Sequence, residues 1–203
     1  MPLPHSMPTN RMIAGRLALD FANLKPVSRM LSWDEFVGFL VDAGVVVAER
    51  VAHLLALPGV EPMVVDGVLL KAIRLRETLR AIFAAMVEQQ GYSKSWVGPI
   101  NDILRLTEGH DELLAQNDRW QLQFVAREDR LEWLLAAVAR SAAELLVEGT
   151  AAPIRRCANP KCRLFFYDDS RTRQRRWCAM AVCGNRHKVA AFHRRHAGLR
   201  EAS

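Results

Sequence analysis

The sequence predicts an α+β fold, with a mainly helical N-terminal domain that contains a few short strands and a small treble-clef-like module at the C-terminus. Two observations carry this prediction. Apolar residues recur at steps of three and four over most of the first 150 residues, which is the helical period. All the cysteines of the 203-residue chain lie in its last quarter, at Cys157, Cys162, Cys178 and Cys183.

Five apolar stripes with their end signals predict the helices. The sequence Ser32-Trp33-Asp34-Glu35 is typical of a capping box, so a helix should begin there and end near Gly44. The strongest stripe runs from Val65 to Met86 and predicts a long helix that ends before Gly91. The other stripes are Val47–Leu55, which stops at Pro58-Gly59, Ile100–Leu104, which follows Pro99, and Leu131–Leu146, which is closed by Gly149.

Two segments alternate between apolar and other residues, which is typical of half-buried strands. Leu17, Leu19 and Phe21 form the first, and Trp120, Leu122 and Phe124 form the second. We expect both to be strands that could pair in a small sheet. The polar segment 108–118 has the composition of a loop.

Charge divides the chain into two parts, with a predicted domain boundary at 149–154. The first domain, residues 1–150, is mildly acidic. Residues 154–203 contain thirteen Lys and Arg against three Asp and Glu, a balance of +10, whereas the chain as a whole has a net charge of +6. A field of this strength favours a polyanionic partner for the second domain, residues 151–203.

The spacing Cys-x4-Cys-x15-Cys-x4-Cys predicts one structural zinc ion. Zn²⁺ takes four soft ligands tetrahedrally, and two short cysteine pairs supply them from two local loops. A catalytic zinc is disfavoured, because four thiolates leave no position for water. A disulfide framework is the alternative, but residues 1–10 have neither a basic nor an apolar segment typical of export.

Local patterns within the module predict a knuckle, a hairpin and a helix. Asn159-Pro160 has turn chemistry between the first two cysteines, and residues 164–167 are typical of a short strand. After a turn at 168–170, the basic segment 171–176 should return the chain. A helix is expected from Gly184, with Val189, Phe192 and His196 on its inner face.

The second metal loop resembles a known family. Cys183-Gly184-Asn185-Arg186, preceded by Arg176-Trp177-Cys178, is similar to the CGNR zinc fingers. The segments Gly15–Asn23 and Ala139–Leu146 look like the ABATE domain that accompanies this finger. The resemblance implies a bacterial, stress-responsive transcription regulator with a nucleic-acid-binding C-terminus.

Cations before the third cysteine and on the final helix are the candidate contacts to DNA. Arginine donates to phosphate oxygens in a planar fork, and neutralised phosphates release counterions. Asn185 and Arg186 are also suited to adenine and guanine edges, although Asn185 could instead cap the helix. The candidate residues are Arg171, Arg173, Arg175, Arg176, Asn185, Arg186, Lys188, Arg194 and Arg195.

We hypothesise that the larger domain senses a small-molecule effector or forms a homodimer. Trp33, Trp96, Trp120 and Trp133 could line an apolar cavity, although tryptophan is more often a core residue. Asp20 and Asn23 could point into such a cavity or fix the end of a strand.

Other functions are less well supported. The sequence has no phosphate-binding glycine loop, nucleophile elbow or His-Glu zinc motif, so we expect no enzyme activity. RNA is an alternative to DNA, because Phe165, Phe166 and Tyr167 could stack on unpaired bases. A thiol-based redox switch is a further alternative. Charges interrupt the apolar stretch 36–57, so we expect no membrane span and a cytoplasmic location.

Overall fold

The computed structural model describes residues 12–24, 31–91, 93–116, 119–127 and 130–200, and it confirms the predicted fold class. Two two-stranded antiparallel sheets accompany the helices. In chain order the elements are α1 (Leu17–Ala22), α2 (Trp33–Asp42), α3 (Ala48–Val60), α4 (Pro62–Val87), α5 (Gly98–Leu106), β1 (Gly109–Gln116), β2 (Arg119–Ala126), α6 (Trp133–Glu148), β3 (Ile154–Arg156), β4 (Phe165–Tyr167) and α7 (Asn185–Arg200).

Helices α2 to α6 begin and end close to where the sequence places them. The capping box of α2 is present, since the Ser32 hydroxyl accepts from the Glu35 amide and the Glu35 carboxylate accepts from the Ser32 amide. Helix α3 continues through Pro58 to Val60 rather than stopping at the proline. The core lies between α1, α2, α4, α5 and α6, and Phe21, Phe36 and Phe83 are fully buried in it.

The prediction of a strand at Leu17–Phe21 is wrong, because this segment forms helix α1. The helix has only six residues, and Ala18 to Ala22 are all buried. It lies between α6 and α4 and has no exposed face. Because the segment is buried on all sides, its sequence shows no amphipathic helical period. The alternation that suggested a strand is one of small and large side chains within a single core.

The second predicted strand is confirmed as β2, but its partner is not the first segment. Strand β1 occupies most of the segment that the sequence assigns to a loop, and it pairs with β2 in an antiparallel hairpin. The polar composition of β1 concealed it, because a strand of a two-stranded sheet that faces water needs few apolar residues.

The C-terminal module is built on the hairpin of β3 and β4, in which Arg156 pairs with Phe165. Strand β4 was predicted, but it pairs with residues before the first cysteine, and residues 171–176 form no strand. A π-helical turn, Met180–Gly184, leads into α7. The prediction for the inner face of α7 is wrong for Val189 and Phe192, which are 55% and 50% exposed. The side chain of His196 lies outside the described residues.

Among the described residues, no single helix combines the length and hydropathy needed to cross a membrane. The helices α3 and α4, which meet at an angle of 110°, satisfy the length and composition criteria only when they are taken as a bent pair.

Candidate metal centre and the surface around it

The four cysteine sulfurs converge on one point. All four Sγ atoms lie within 4.8 Å of one another. The Sγ of Cys178 is 3.7 Å from that of Cys162 and 3.8 Å from that of Cys183. A tetrahedral Zn²⁺ with Zn–S bonds of about 2.3 Å requires sulfur separations of about 3.8 Å. The four cysteines are therefore positioned to hold one metal ion, and the spacing is consistent with a single structural Zn²⁺.

Two local loops present the sulfurs. In the first, the Asn159 carbonyl accepts from the amides of Cys162 and Arg163, and the Asn159 carboxamide oxygen accepts from the Lys161 amide. In the second, the π-helical turn brings the amides of Cys183 and Gly184 to the same carbonyl, that of Ala179. The Asn159 side chain also donates to the Cys183 sulfur at 3.5 Å, so it links both loops at the metal site.

Gly184, which follows Cys183 at the end of the second loop, is closely packed. A Cβ at this position would lie 2.2 Å from the Met180 sulfur and 3.3 Å from the Trp177 ring. Trp177 in turn contacts the His187 ring, with 4.8 Å between ring centroids. The glycine therefore allows the first turn of α7 to pack against the metal loop.

The thiols do not ionise equally in the absence of a cation. Burial and neighbouring sulfurs raise the pKa of Cys178, and burial raises the pKa of Cys162. Burial also acts to raise the pKa of Cys183, but the hydrogen bonds from Asn159 and the other thiols outweigh it and lower that pKa. A divalent cation supplies the positive charge that four adjacent thiolates require, which fits the four-sulfur donor set.

The basic loop between the hairpin and the third cysteine is folded around Asp168. This carboxylate is fully buried and accepts from the Ser170 amide at 3.2 Å and the Arg175 amide at 2.8 Å. Burial acts to raise the pKa of Asp168, but these bonds and the one from the Ser170 hydroxyl lower it overall. The Arg155 guanidinium lies 3.6 Å from the same carboxylate. The loop is thus held in one conformation by an ionised carboxylate.

The finger is joined to the helical domain along the outer edge of β4. The Asn23 side chain donates to the Phe165 carbonyl at 2.7 Å and accepts from the Phe165 amide at 2.9 Å. Two residues along the strand, the Tyr167 amide donates to the Ala14 carbonyl at 2.7 Å. These bonds satisfy the backbone groups of β4 that do not face β3. Gly15 adopts a φ of +80° beside Tyr167, which brings the chain past this edge.

Side chains extend the same junction. The Tyr167 hydroxyl donates to Glu148 at 2.9 Å, and the Arg16 guanidinium lies 3.9 Å above the Tyr167 ring. Phe165 packs edge-on against Phe83 of α4, with 6.1 Å between ring centroids. Nothing in the sequence patterns predicted this junction, because the bonds from Asn23 and Ala14 to β4 join residues about 140 to 150 positions apart. Of the two hypotheses for Asn23, its contacts support a structural role, because its side chain bonds to the backbone of β4.

Asp20 has a structural role beside this junction. Its Oδ1 accepts from the amides of Ile13 and Ala14 at 3.1 and 3.0 Å, and its Oδ2 is buried without a partner among the described residues. Burial raises the pKa of Asp20 to about 6, although the two backbone bonds act to lower it. The carboxylate holds the segment whose Ala14 carbonyl reaches β4.

The predicted tryptophan cavity is not formed. Trp33 is buried in the core and donates to the Leu54 carbonyl, Trp120 is 72% exposed, and Trp96 and Trp133 are half-buried at separate places. Two surface concavities among the described residues contain no tryptophan. One is lined by Ala181, Val182, Asn185, Arg186, Val189, Ala190 and His193, and the other by Leu104, Thr107, Glu108, Gly109, Arg127, Ala136 and Arg140.

The predicted nucleic-acid contacts fall into three groups. Arg175 is used within the finger: its guanidinium donates to the carbonyls of Trp177 and Cys178 and to Asp169, and it lies 4.8 Å from the Phe166 ring. The side chains of Arg194 and Arg195 lie outside the described residues. The remaining candidates are exposed, and they are Arg171, Arg173, Arg176, Asn185, Arg186 and Lys188.

Exposed cations on the first metal loop were not among the predicted contacts. Lys161 and Arg163 lie on the first metal loop, on either side of Cys162. The signal available in the sequence was their position next to Cys162, because a charged side chain in so short a metal-binding loop points to solvent.

The comparisons with known proteins agree with this architecture. A model of the CGNR zinc finger family matches residues 154–196. A model of the ABATE family, described as "Putative stress-induced transcription regulator", matches residues 15–149, which is more than half of the chain. No curated protein matches the chain. Both resemblances noted in the sequence are thus confirmed, and the chain belongs to the ABATE family and carries a CGNR zinc finger at its C-terminus.

Proposed function

We propose that the protein is a transcription regulator that binds DNA through the zinc finger. One observation supports this most strongly: exposed cations are concentrated on two segments that flank the metal loops, and among the described residues no ion pair is recorded for Arg171, Arg176, Arg186 or Lys188. Cations without ion-pair partners on one small module repel one another, so binding of a polyanion lowers the electrostatic free energy of the finger.

The loop 171–176 is suited to phosphate oxygens. Arg171, Arg173 and Arg176 project from a backbone that Asp168 fixes from within, and the Arg155 guanidinium also donates to the Arg173 carbonyl. Holding the loop rigid before binding lowers the entropy that ordering it on DNA would cost. We assign backbone contact to these three arginines.

The start of α7 is suited to base edges. Asn185 and Arg186 are exposed in its first turn, and only Gly184 separates them from the last metal ligand. The Asn185 carboxamide makes one long bond, 3.5 Å, to the Ala181 carbonyl, so its second N–H and its oxygen are available for an adenine edge. The fixed metal loop sets the direction of this turn, and Lys188 adds a phosphate contact one turn further along.

The RNA alternative loses its structural motivation. Phe165 and Phe166 are buried, and the half-buried Tyr167 ring is already covered by Arg16. No aromatic stacking platform is therefore available at β4 for unpaired bases. We propose that the protein binds duplex DNA in the cytoplasm. The small-molecule effector remains a prediction, which thermal-shift screening would test.

A salt titration tests the electrostatic part. The affinity of the zinc-loaded protein for duplex DNA is measured at increasing salt, and the double variant Arg171→Gln/Arg173→Gln is compared with wild type. Because each lost phosphate contact reduces the slope of log affinity against log salt by about 0.9, the slope should fall by nearly two.

The matched control is Arg74→Gln/Arg105→Gln, which removes two exposed arginines of the helical domain and should leave the slope unchanged. An unchanged slope in the finger variant would exclude these two arginines from the interface. Absence of any salt-dependent binding, to duplex or single strands, would refute the proposed function.

A further inference from the structure

An apolar patch lies within the basic surface of the finger. Val182, directly before Cys183, is 40% exposed, and Val189 of α7 is 55% exposed. Ala181 and Ala190 are exposed beside them, and these four apolar residues line one concavity at the start of α7. All the side chains that line it belong to the described part of the chain. Single exposed apolar residues are common, but a contiguous group in a concavity with a polar rim marks a contact site.

Val189 is next to both proposed base-reading residues on the surface of α7. It follows Asn185 by four residues and Arg186 by three, and side chains at these spacings are neighbours on a helix. His187, which contacts Trp177 with 4.8 Å between ring centroids, is two residues from Val189 and therefore about 200° away around the helix. Trp177 thus packs against one side of α7, and Val189 lies on the other side with the two base-reading residues.

We infer that this apolar patch contacts the C5-methyl group of a thymine in the major groove. The inference rests on the proposed DNA binding and extends it from contact with phosphates to a preference for one base. Thymine presents a methyl group at its major-groove edge, and apolar side chains contact it there. Asn185 and Arg186 supply polar contacts to neighbouring bases, and Val189 supplies the apolar one.

The charge around the patch favours DNA as its occupant. The finger, residues 154–203, has thirteen Lys and Arg against three Asp and Glu, and Lys188 directly precedes Val189. An apolar protein surface would take such cations out of water without compensation, whereas the phosphates of a duplex neutralise them. A second exposed apolar surface, residues 60–64 where α3 meets α4, includes the exposed carboxylate of Glu61 and is therefore unsuited to DNA.

The position of Val189 limits where the thymine can lie. Its Cβ is about 5–6 Å from those of Asn185 and Arg186, and successive bases of one DNA strand are about 3.4 Å apart along the axis. The thymine should therefore lie within about two base pairs of the adenine or guanine that Asn185 or Arg186 contacts. Burial of one methyl group should raise the affinity about fourfold relative to the same site without it.

Deoxyuridine substitution tests this contact, because it removes the C5-methyl group of thymine and leaves base pairing unchanged. The full zinc-loaded chain first selects its sites from random duplex DNA. Each thymine of the selected site is then replaced in turn, and the affinity is measured by fluorescence anisotropy. At one position the replacement should lower the affinity about fourfold. Val189→Ala, which removes both γ-methyl groups, should abolish most of this difference and retain the wild-type salt slope.

Val64→Ala is the matched control, because Val64 is 44% exposed on α4, outside the finger, and this variant should retain the wild-type preference for thymine. Circular dichroism and zinc content establish that both variants are folded. Salt-dependent binding without a selected site, or a site at which no deoxyuridine lowers the affinity, would overturn the inference and leave the proposed function standing. So would a preference that survives Val189→Ala, which is the result expected if the patch binds a protein. Absence of any binding of wild type to duplex DNA would refute both.

Discussion

Asn23→Ala should weaken the junction between the finger and the helical domain and lower the free energy of unfolding by several kcal/mol. Asn23 is 8% exposed and makes two short hydrogen bonds to the backbone of Phe165, one as donor and one as acceptor. Its removal leaves a buried amide and a buried carbonyl without partners, and each such group costs about 1–3 kcal/mol. We therefore predict a loss of about 2–6 kcal/mol in the free energy of unfolding, to be measured by urea denaturation with zinc present.

Two further variants make this prediction specific. Asn101→Ala is the control, because among the described residues no side-chain hydrogen bond is recorded for Asn101, and it should change stability by less than about 0.5 kcal/mol. Asn23→Asp retains the acceptor for the Phe165 amide but brings a carboxylate oxygen against the Phe165 carbonyl, so it should be at least as destabilising as alanine. The metal loops are local, and all three variants should still bind one zinc. A change below about 0.5 kcal/mol for Asn23→Ala would refute the assigned junction.

Three other substitutions probe the same region. Because burial raises the pKa of Asp20 to about 6 from a normal value of 3.8, the carboxyl contributes stability that is fully present below pH 3.8 and is lost as pH rises to about 6. In zinc-saturated chemical denaturation, the stability of Asp20→Asn should therefore fall less steeply between about pH 4 and 6 than that of wild type, and an equal pH dependence of the two proteins would contradict this reasoning. Tyr167→Phe removes the bond to Glu148 but retains the Arg16 contact, so it should cost about 1 kcal/mol by thermal denaturation, and no change would mean that the bond is not formed in solution. Gly15→Ala places a Cβ at a φ of +80° and should cost about 1 kcal/mol or more, whereas Gly91→Ala, where a Cβ meets no atom within 4 Å, should be tolerated.

Most of the helical domain could be predicted because its helices are amphipathic and carry end signals. Helix α2 has a capping box, and α4 has a continuous apolar stripe from Val65 to Met86. Helix α1 could not be predicted, since it is buried on all sides and too short to show a period. Strand β1 was missed because hairpin pairing, rather than composition, makes it a strand.

The metal site was visible in the sequence, whereas its surroundings were not. Cysteine spacing is local and directly reflects the geometry of two loops, so all four ligands could be identified. The role of Arg175 within the finger depends on carbonyls and an aromatic ring that only the folded loop brings together. The exposure of Val189 and Phe192 likewise could not be predicted, because apolar residues on a helix are usually assumed to face a core.

Metal content tests the central claim most directly, namely that four thiolates fold the C-terminus around one ion. Elemental analysis of freshly purified, reduced protein should give one zinc per chain. Cys178→Ser should lose most of it, because Cys178 lies within 3.8 Å of two other ligands. Reduced, folded wild-type protein without stoichiometric metal would contradict the account.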